Sequence, residues 1–368
     1  MNKPFNRKAI KHGFAMLATL IATLLAGGCY DTMTLSEGGI GGTGISSGPI
    51  SGFGSIYVNG VEFDTDKAEI YVNGDPASEA ALQLGMVVKV YGQLDSDDPS
   101  RGEAERIDFN YTLQGEIVAI DRDSATLYTA GQTILSDELT LFADGSLAQL
   151  DTGDFVAVSG LVDAQGRVMA RYIIKTTPDP RLAVDTVMAP SSNVLSGDEA
   201  SIPSSGSNLS DARFQPQKGD SVQLTAYIEE IIDESQIRVA GQRVSIDDKT
   251  RFIDGDHARL TVNQQVRIEA ELGADSLLLA QTIAFLNDSD VTLRANVTSI
   301  DLSHRRLTLG GTEVSLDNTT LMIDHSALAL RRFALEDIGV GDLLNVSGRS
   351  GSTGIVLSRL ERLETQSR

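Results

Sequence analysis

Along most of the chain, apolar residues recur at every second position in short runs bounded by turn residues, the period of strands with one buried face. The clearest run reads Gly85-Met86-Val87-Val88-Lys89-Val90-Tyr91-Gly92 and returns as Gly153-Asp154-Phe155-Val156-Ala157-Val158-Ser159-Gly160. It comes back twice more, as Asn263-Gln264-Gln265-Val266-Arg267-Ile268-Glu269-Ala270 and as Gly341-Asp342-Leu343-Leu344-Asn345-Val346-Ser347-Gly348. A second strand follows each, marked by Ala104 with Ile107, Ala170 with Ile173, Ala280 with Ile283 and Leu357 with Leu360. Upstream, Leu113, Gly115, Ile117 and Ile120 reappear as Leu224, Ala226, Ile228 and Ile231, then as Leu293, Ala295, Val297 and Ile300. The first copy abbreviates this to Gly48, Ile50 and Phe53, and hairpin tips follow at Gly60, Gly131, Gly241 and Gly311.

Each repeat therefore predicts three strands, a variable connection and two more strands within about 60–70 residues, the order of an OB-like barrel. In the fourth copy the connection holds Ala327, Leu328, Arg331, Phe333 and Leu335, a spacing compatible with a short helix. The expected fold is all-β: four tandem small five-stranded OB-like barrels with at most short helices, over residues 48–109, 110–175, 220–286 and 287–363. Only a few residues join the barrels near Asn110 and Asp288, whereas a Pro- and Ser-rich stretch spans 176–219. This arrangement predicts two pairs of barrels that move relative to each other. The alternative is an irregular loop packed on a single body.

The first residues set the compartment. Lys3, Arg7, Lys8 and Lys11 precede an apolar run from Phe14 to Leu25, shorter than the roughly 20 residues of a membrane-spanning helix and typical of an export signal over 1–28. The run ends in Leu25-Ala26-Gly27-Gly28-Cys29, which resembles the lipobox of bacterial lipoproteins, with Ala26 where that pattern usually has Leu. The resemblance implies lipidation of Cys29, a Gly-rich tether over 29–47, and a lipid-anchored envelope location, on the outer membrane facing the periplasm or the cell surface. Ordinary secretory cleavage after Gly28 is the alternative.

Composition narrows the chemistry. The 368 residues contain one cysteine, so no intramolecular disulfide forms, and a net charge of −21 disfavours nucleic acid and anionic head groups as partners. Losing residues 1–28 removes four basic side chains and no acid, which makes the mature surface more acidic still.

The segment Gly38-Gly39-Ile40-Gly41-Gly42-Thr43-Gly44-Ile45, with Gly48-Pro49-Ile50-Ser51-Gly52-Phe53-Gly54-Ser55-Ile56-Tyr57-Val58-Asn59-Gly60-Val61-Glu62-Phe63-Asp64-Thr65, resembles the opening of bacterial lipoproteins built from a tandem domain of unknown function. That resemblance implies export and repeated β modules, and carries over no catalytic residue.

Motifs with possible chemistry are few. Gly39, Gly41 and Gly44 fit the spacing of a dinucleotide loop, but no strand precedes them and no helix follows. Gly44, Ser46 and Gly48 fit a nucleophile elbow, yet Pro49 follows directly. His257, His304 and His325 are scattered over turns. Acidic clusters occur at Asp95, Asp97 and Asp98, at Asp121 and Asp123, at Asp151 and Asp154, at Asp247 and Asp248, and at Asp254 and Asp256. Only Asp95-Ser96-Asp97-Asp98 starts like a calcium loop, before Pro99 and Arg101 break the pattern, and turn chemistry accounts for the others. Tyr57, Tyr71, Tyr91 and Phe109 form the one aromatic group of the size a sugar platform needs. The expectation is a non-enzymatic binding or scaffolding protein without a cofactor, attached to the membrane by its N-terminal lipid and meeting an envelope protein or polysaccharide. The rivals are a carboxylate-dependent hydrolase of an envelope polysaccharide, requiring two facing acids, and a calcium-stabilised adhesion array.

Overall fold

The computed structural model describes residues 44–129, 131–178, 217–351 and 354–364. The export signal, Cys29, most of the tether and most of the Pro/Ser-rich stretch lie outside them.

The second repeat shows the barrel plainly. Strands β8 (Leu113–Asp121), β9 (Thr126–Thr129) and β10 (Gln132–Leu135) form an antiparallel meander, and β12 (Phe155–Val162) pairs with both β8 and β13 (Val168–Thr176). The ring closes where β10 runs parallel to β13, with Ile134 opposite Val168. Three antiparallel strands, a crossover, and closure by one parallel pair is the OB arrangement. Inside, Leu113, Ile117, Leu127, Ile134, Val156, Val158, Ala170 and Ile173 are buried, so the alternation of the repeat marks the inner face.

The same circuit is drawn by the other repeats. The first uses β1 (Gly44–Phe53), β2 (Ile56–Val58), β3 (Val61–Asp64), β6 (Val87–Leu94) and β7 (Arg101–Phe109), closed by β3 beside β7. The third uses β14 (Ser221–Asp233), β15 (Gln236–Val239), β16 (Gln242–Ser245), β18 (Gln265–Leu272) and β19 (Leu278–Phe285). The fourth uses β20 (Val291–Asp301), β21 (Arg306–Leu309), β22 (Thr312–Ser315), β24 (Leu343–Gly351) and β25 (Gly354–Leu363). In three of the four repeats, glycine closes the repeated run for a steric reason. At the bulge between the last two strands a Cβ on Gly92, Gly160 or Gly348 would overlap the neighbouring strand's backbone carbonyl.

The connection between third and fourth barrel strands is not a helix. It holds a short strand parallel to the last strand, namely β4 (Glu69–Val72), β11 (Leu141–Phe142), β17 (Arg251–Ile253) or β23 (Leu321–His325), and then a single 3-10 turn. In the first barrel β5 (Asp75–Ala77) adds a hairpin to β4. The helix compatible with the spacing from Ala327 to Leu335 is replaced by a loop and a 3-10 turn at Leu335–Asp337. The cause is local: Asp324 accepts the amides of Ser326 and Leu330, and Ala329 takes a positive φ, so the amides needed for helical bonds are already held.

The expectation of two separately moving lobes is corrected by one pairing. Strand β1 begins at Gly44, inside the stretch read as tether, and runs parallel to β14, with Ile45 opposite Val222 and Ser47 opposite Leu224. The first and third barrels thereby share a thirteen-stranded sheet, and Ile45 packs into the core of the third. Tyr172 of the second barrel is buried in the core of the first. The first strand of a barrel is covered on one edge by the fourth, while the other edge meets a partner only along its second half; the open half-edges of β1 and β14 satisfy each other.

A buried relay sits on this seam. Thr225 Oγ1 donates to Asn59 Oδ1 at 2.7 Å, Asn59 Nδ2 donates to Ser46 Oγ at 2.9 Å and to the Ser47 carbonyl at 3.0 Å, and Ser46 Oγ donates to Gln223 Oε1 at 3.3 Å. Asn59 occupies a left-handed turn position, φ 54°, that Asn tolerates well. Gly48 leaves the space its side chain needs, because a Cβ there would overlap the Asn59 amide. Replacing Asn59 by Ala takes the acceptor from the buried Thr225 hydroxyl, leaves Ser46 only its bond to Gln223 and places Ala at a positive φ, and is expected to cost roughly 2–4 kcal/mol. Asn73→Ala, in an exposed Asn-Gly turn with one amide bond from Tyr111, is expected to cost about 1 kcal/mol or less. Urea unfolding of the two variants beside the parent checks both.

Candidate functional site

The acids that stood out in the sequence are placed on turns, where each carboxylate mostly answers amides of its own loop. Asp95 accepts from the amides of Asp97 and Asp98, and Asp98 accepts from the amide and hydroxyl of Ser100. The bond from Ser100 holds the Asp98 carboxyl below its ordinary range. Asp95 and Asp98 thus turn oxygens toward their own loop, to which Asp97 contributes its amide, and among the described residues no group of three His, Cys, Asp or Glu side chains is arranged to hold a metal.

The remaining clusters follow two recurring designs. At the end of the first strand, Asp121 caps the amides of Asp123 and Ser124, as Asp233 does for Ser235 and Asp301 for His304. After the third strand, Asp137, Asp247 and Asp317 each pair with a Thr three residues on. Those threonines, Thr140, Thr250 and Thr320, are buried and donate to carbonyls of the last strand at 2.8–3.0 Å. Asp154 meets Lys175 at 2.6 Å, which lowers its pKa, Asp151 lies 3.4 Å from Arg122, and Asp254 lies 3.2 Å from Arg349. Asp248 and Asp256 sit beside these turns, at the tip after β16 and ahead of the 3-10 turn at His257.

One trio has the residue types of a hydrolase triad. Asp301 Oδ2 accepts from His304 Nδ1 at 2.8 Å, and Ser303 Oγ donates to Asp301 Oδ1 at 2.6 Å. A triad needs the two imidazole nitrogens engaged separately, one by the acid and one by the nucleophile. Here Ser303 Oγ lies 3.1 Å from Nδ1, the nitrogen that already meets Asp301, and all three side chains are exposed on one turn. The bonds from Ser303 and His304 pull the Asp301 carboxyl down to about 2, the signature of a capped turn. His257 donates Nε2 to the Glu234 carbonyl at 2.7 Å, and His325 lies 3.5 Å from Glu361. The histidines therefore serve three separate local structures.

The other motifs are dispersed as well. Gly39 and Gly41 lie outside the described residues, and Gly44, Ser46 and Gly48 fall inside β1, with Ser46 buried in the seam. The four aromatics form no shared platform: Phe109 is buried against Tyr111, Tyr91 packs on the third barrel's core, and Arg106 stacks 4.6 Å over Tyr71. Tyr57 is half-buried, and burial raises its pKa.

What the sequence motifs did not indicate is a set of side chains that cross between barrels. Arg331 of the fourth donates to the carbonyls of Glu79 and Leu82 at 2.7 and 2.8 Å and lies 4.1 Å over the Phe53 ring of the first. Asn318 donates to the Gly60 carbonyl and Ser51 to the Asn318 carbonyl. Asn263 of the third bonds Gln165 and the Ala164 amide of the second, and Arg171 of the second joins Asp137 to Gln265. Arg349 ties the fourth to Phe285 and Asp254 of the third. The residue types at these places differ from repeat to repeat, so a search for shared pattern passes over them.

A model of a domain of unknown function, DUF5666, matches residues 45–108, 114–174, 225–284 and 294–358, one copy per barrel. The chain belongs to the DUF5666 family. No curated protein matches it. Two solved structures resemble it over 70% of its length. One is a multidomain protein with nucleic acid binding domains from Streptococcus pneumoniae TIGR4, at 13% identity, TM-score 0.16 and 74% of that chain. The other is Drosophila Unr CSD456, at 10% identity, TM-score 0.14 and 98% of that chain. At such TM-scores neither likeness bears on what this DUF5666 protein binds.

A buried charge pair in its fourth barrel is structural. Arg362 donates to both oxygens of Asp324 at 2.9 and 2.6 Å, stacks 4.5 Å over Phe333 and reaches the Asp337 carbonyl. The Asp324 side chain is fully buried, and the Arg362 bonds hold its carboxyl well below the usual range. A depressed carboxylate stabilises the fold above its unfolded value of ~3.9, and that contribution is lost as pH falls through the lower folded value. Asp324→Asn is expected to cost about 2–4 kcal/mol at neutral pH, because it leaves the buried Arg362 only Asp342, 3.6 Å away, as a counter-charge. It should also flatten the loss of stability of the fourth barrel between ~pH 4 and ~pH 2. Thermal unfolding across that range, in parent and variant, checks both.

Proposed function

We propose that the protein is a lipid-anchored envelope component, held through an acylated Cys29, in which the four fused barrels act as a non-catalytic binding or scaffolding body. The observation that carries this reading is the knitting of the barrels: the β1–β14 pairing and the crossing contacts of Arg331, Asn263 and Arg349 fix four surfaces in one relative arrangement. A fixed multi-barrel surface suits a partner that spans more than one barrel. The Leu25-Ala26-Gly27-Gly28-Cys29 segment supports the anchor, and engagement of the prominent acids by turn amides, Lys and Arg supports a role without turnover. The partner fitting an acidic extracytoplasmic surface is an envelope protein or an uncharged or cation-bridged polysaccharide.

In cells fed radiolabelled palmitate, the parent protein should carry label and fractionate with membranes, whereas Cys29→Ala should carry none and move to the soluble fraction. Membrane fractionation of Cys29→Ala unchanged from the parent contradicts the anchor. Robust hydrolysis of an envelope polymer by the purified chain contradicts the non-catalytic role.

A further inference from the structure

The half-edge that fuses the first and third barrels exists again in the fourth, and there no described strand covers it. Residues Val291–Asn296 of β20 pair with β24 on one side, while β21 covers the other side only from Val297 to Asp301. In the third barrel the equivalent half of β14 is flanked by β18 on one side and β1 on the other.

Burial follows that coverage. Val222, Leu224 and Ala226 of β14 are 0%, 0% and 6% exposed, whereas Val291, Leu293 and Ala295, at the same repeat positions, are only half-buried, and Thr292, Arg294 and Asn296 between them are exposed. The second barrel differs: its first strand starts only at Leu113, and the Tyr111 amide ahead of it is already held by Asn73 of the first barrel. An uncovered strand edge is normally blunted by proline, a bulge or several charges. The outer hairpin strand β5 has such devices, Asp75 and Pro76. The β20 half-edge has no proline, its bulge falls beyond it at Val297–Ser299, and Arg294 is its single charge.

We infer that the Val291–Asn296 edge of β20 is an interaction surface completed by the same edge of a second copy of this chain, the two strands antiparallel about a two-fold axis. Within the molecule, the strand that completes such a half-edge is the half-edge of another module of the same kind, and a second copy supplies an identical one. A two-fold axis is what places one patch against itself, and it sets equal edges antiparallel. Backbone amides and carbonyls supply the bonds, and the half-buried Val291, Leu293 and Ala295 gain the cover that Val222, Leu224 and Ala226 have. The inference does not depend on the lipid anchor.

The test is sedimentation equilibrium on the processed chain carrying Cys29→Ser, so that no lipid drives association. The expected mass at micromolar concentration is that of a dimer. Thr292→Lys combined with Asn296→Lys flanks Arg294 with like charge at exposed positions; it should weaken the dimer roughly tenfold or more with unchanged circular dichroism. Mixing that variant with one carrying Thr292→Glu and Asn296→Glu should restore association. A monomeric parent, a dimer indifferent to the lysines, a mixture that stays monomeric, or an open series of larger assemblies would each overturn it.

Discussion

A small barrel closes its sheet almost completely, and the portion it leaves open joins the first of these four to the third. The first strand is longer than its hairpin partner, so half of one edge carries backbone amides and carbonyls with no bond inside the barrel. In the first and third repeats those halves meet in parallel, and the relay from Thr225 through Asn59 and Ser46 to Gln223 satisfies polar side chains that the junction would otherwise bury without partners. Modules of this size hide limited apolar surface alone, and sharing Ile45 and Tyr172 between neighbouring cores offsets that shortage.

The acidity of the chain has a local cause as well as a global effect. Each repeat has several tight turns, and Asp suits them because its carboxylate accepts amides two or three residues ahead. Repeating the turns repeats the aspartates, and a strongly negative chain follows from the architecture itself.

Much of the architecture was legible because it rests on periodicity. Buried positions such as Val88, Val156, Val266 and Leu344 recur with period two, and Asn263 stands where other copies have Gly because both accept a positive φ. The assembly was illegible for the opposite reason. Ser46 and Asn59 stand where other repeats have Leu and Ala or Gly, and a polar residue beside a glycine-rich run looks like tether until its distant partners Gln223 and Thr225 are known. Arg331 and Arg349 are likewise defined by carbonyls far away in sequence. The expected helix around Ala327–Leu335 failed because apolar spacing does not reveal that Asp324 takes the amides first.

The β1–β14 pairing joins the halves of the chain into one body. Native-state amide hydrogen exchange over Ile45–Ser47 and Val222–Leu224 tests it most directly. These amides, where they bond across the seam, should be protected as strongly as those of the central strands β12 and β24. Exchange there as fast as at exposed turns, with β12 and β24 still protected, would contradict it.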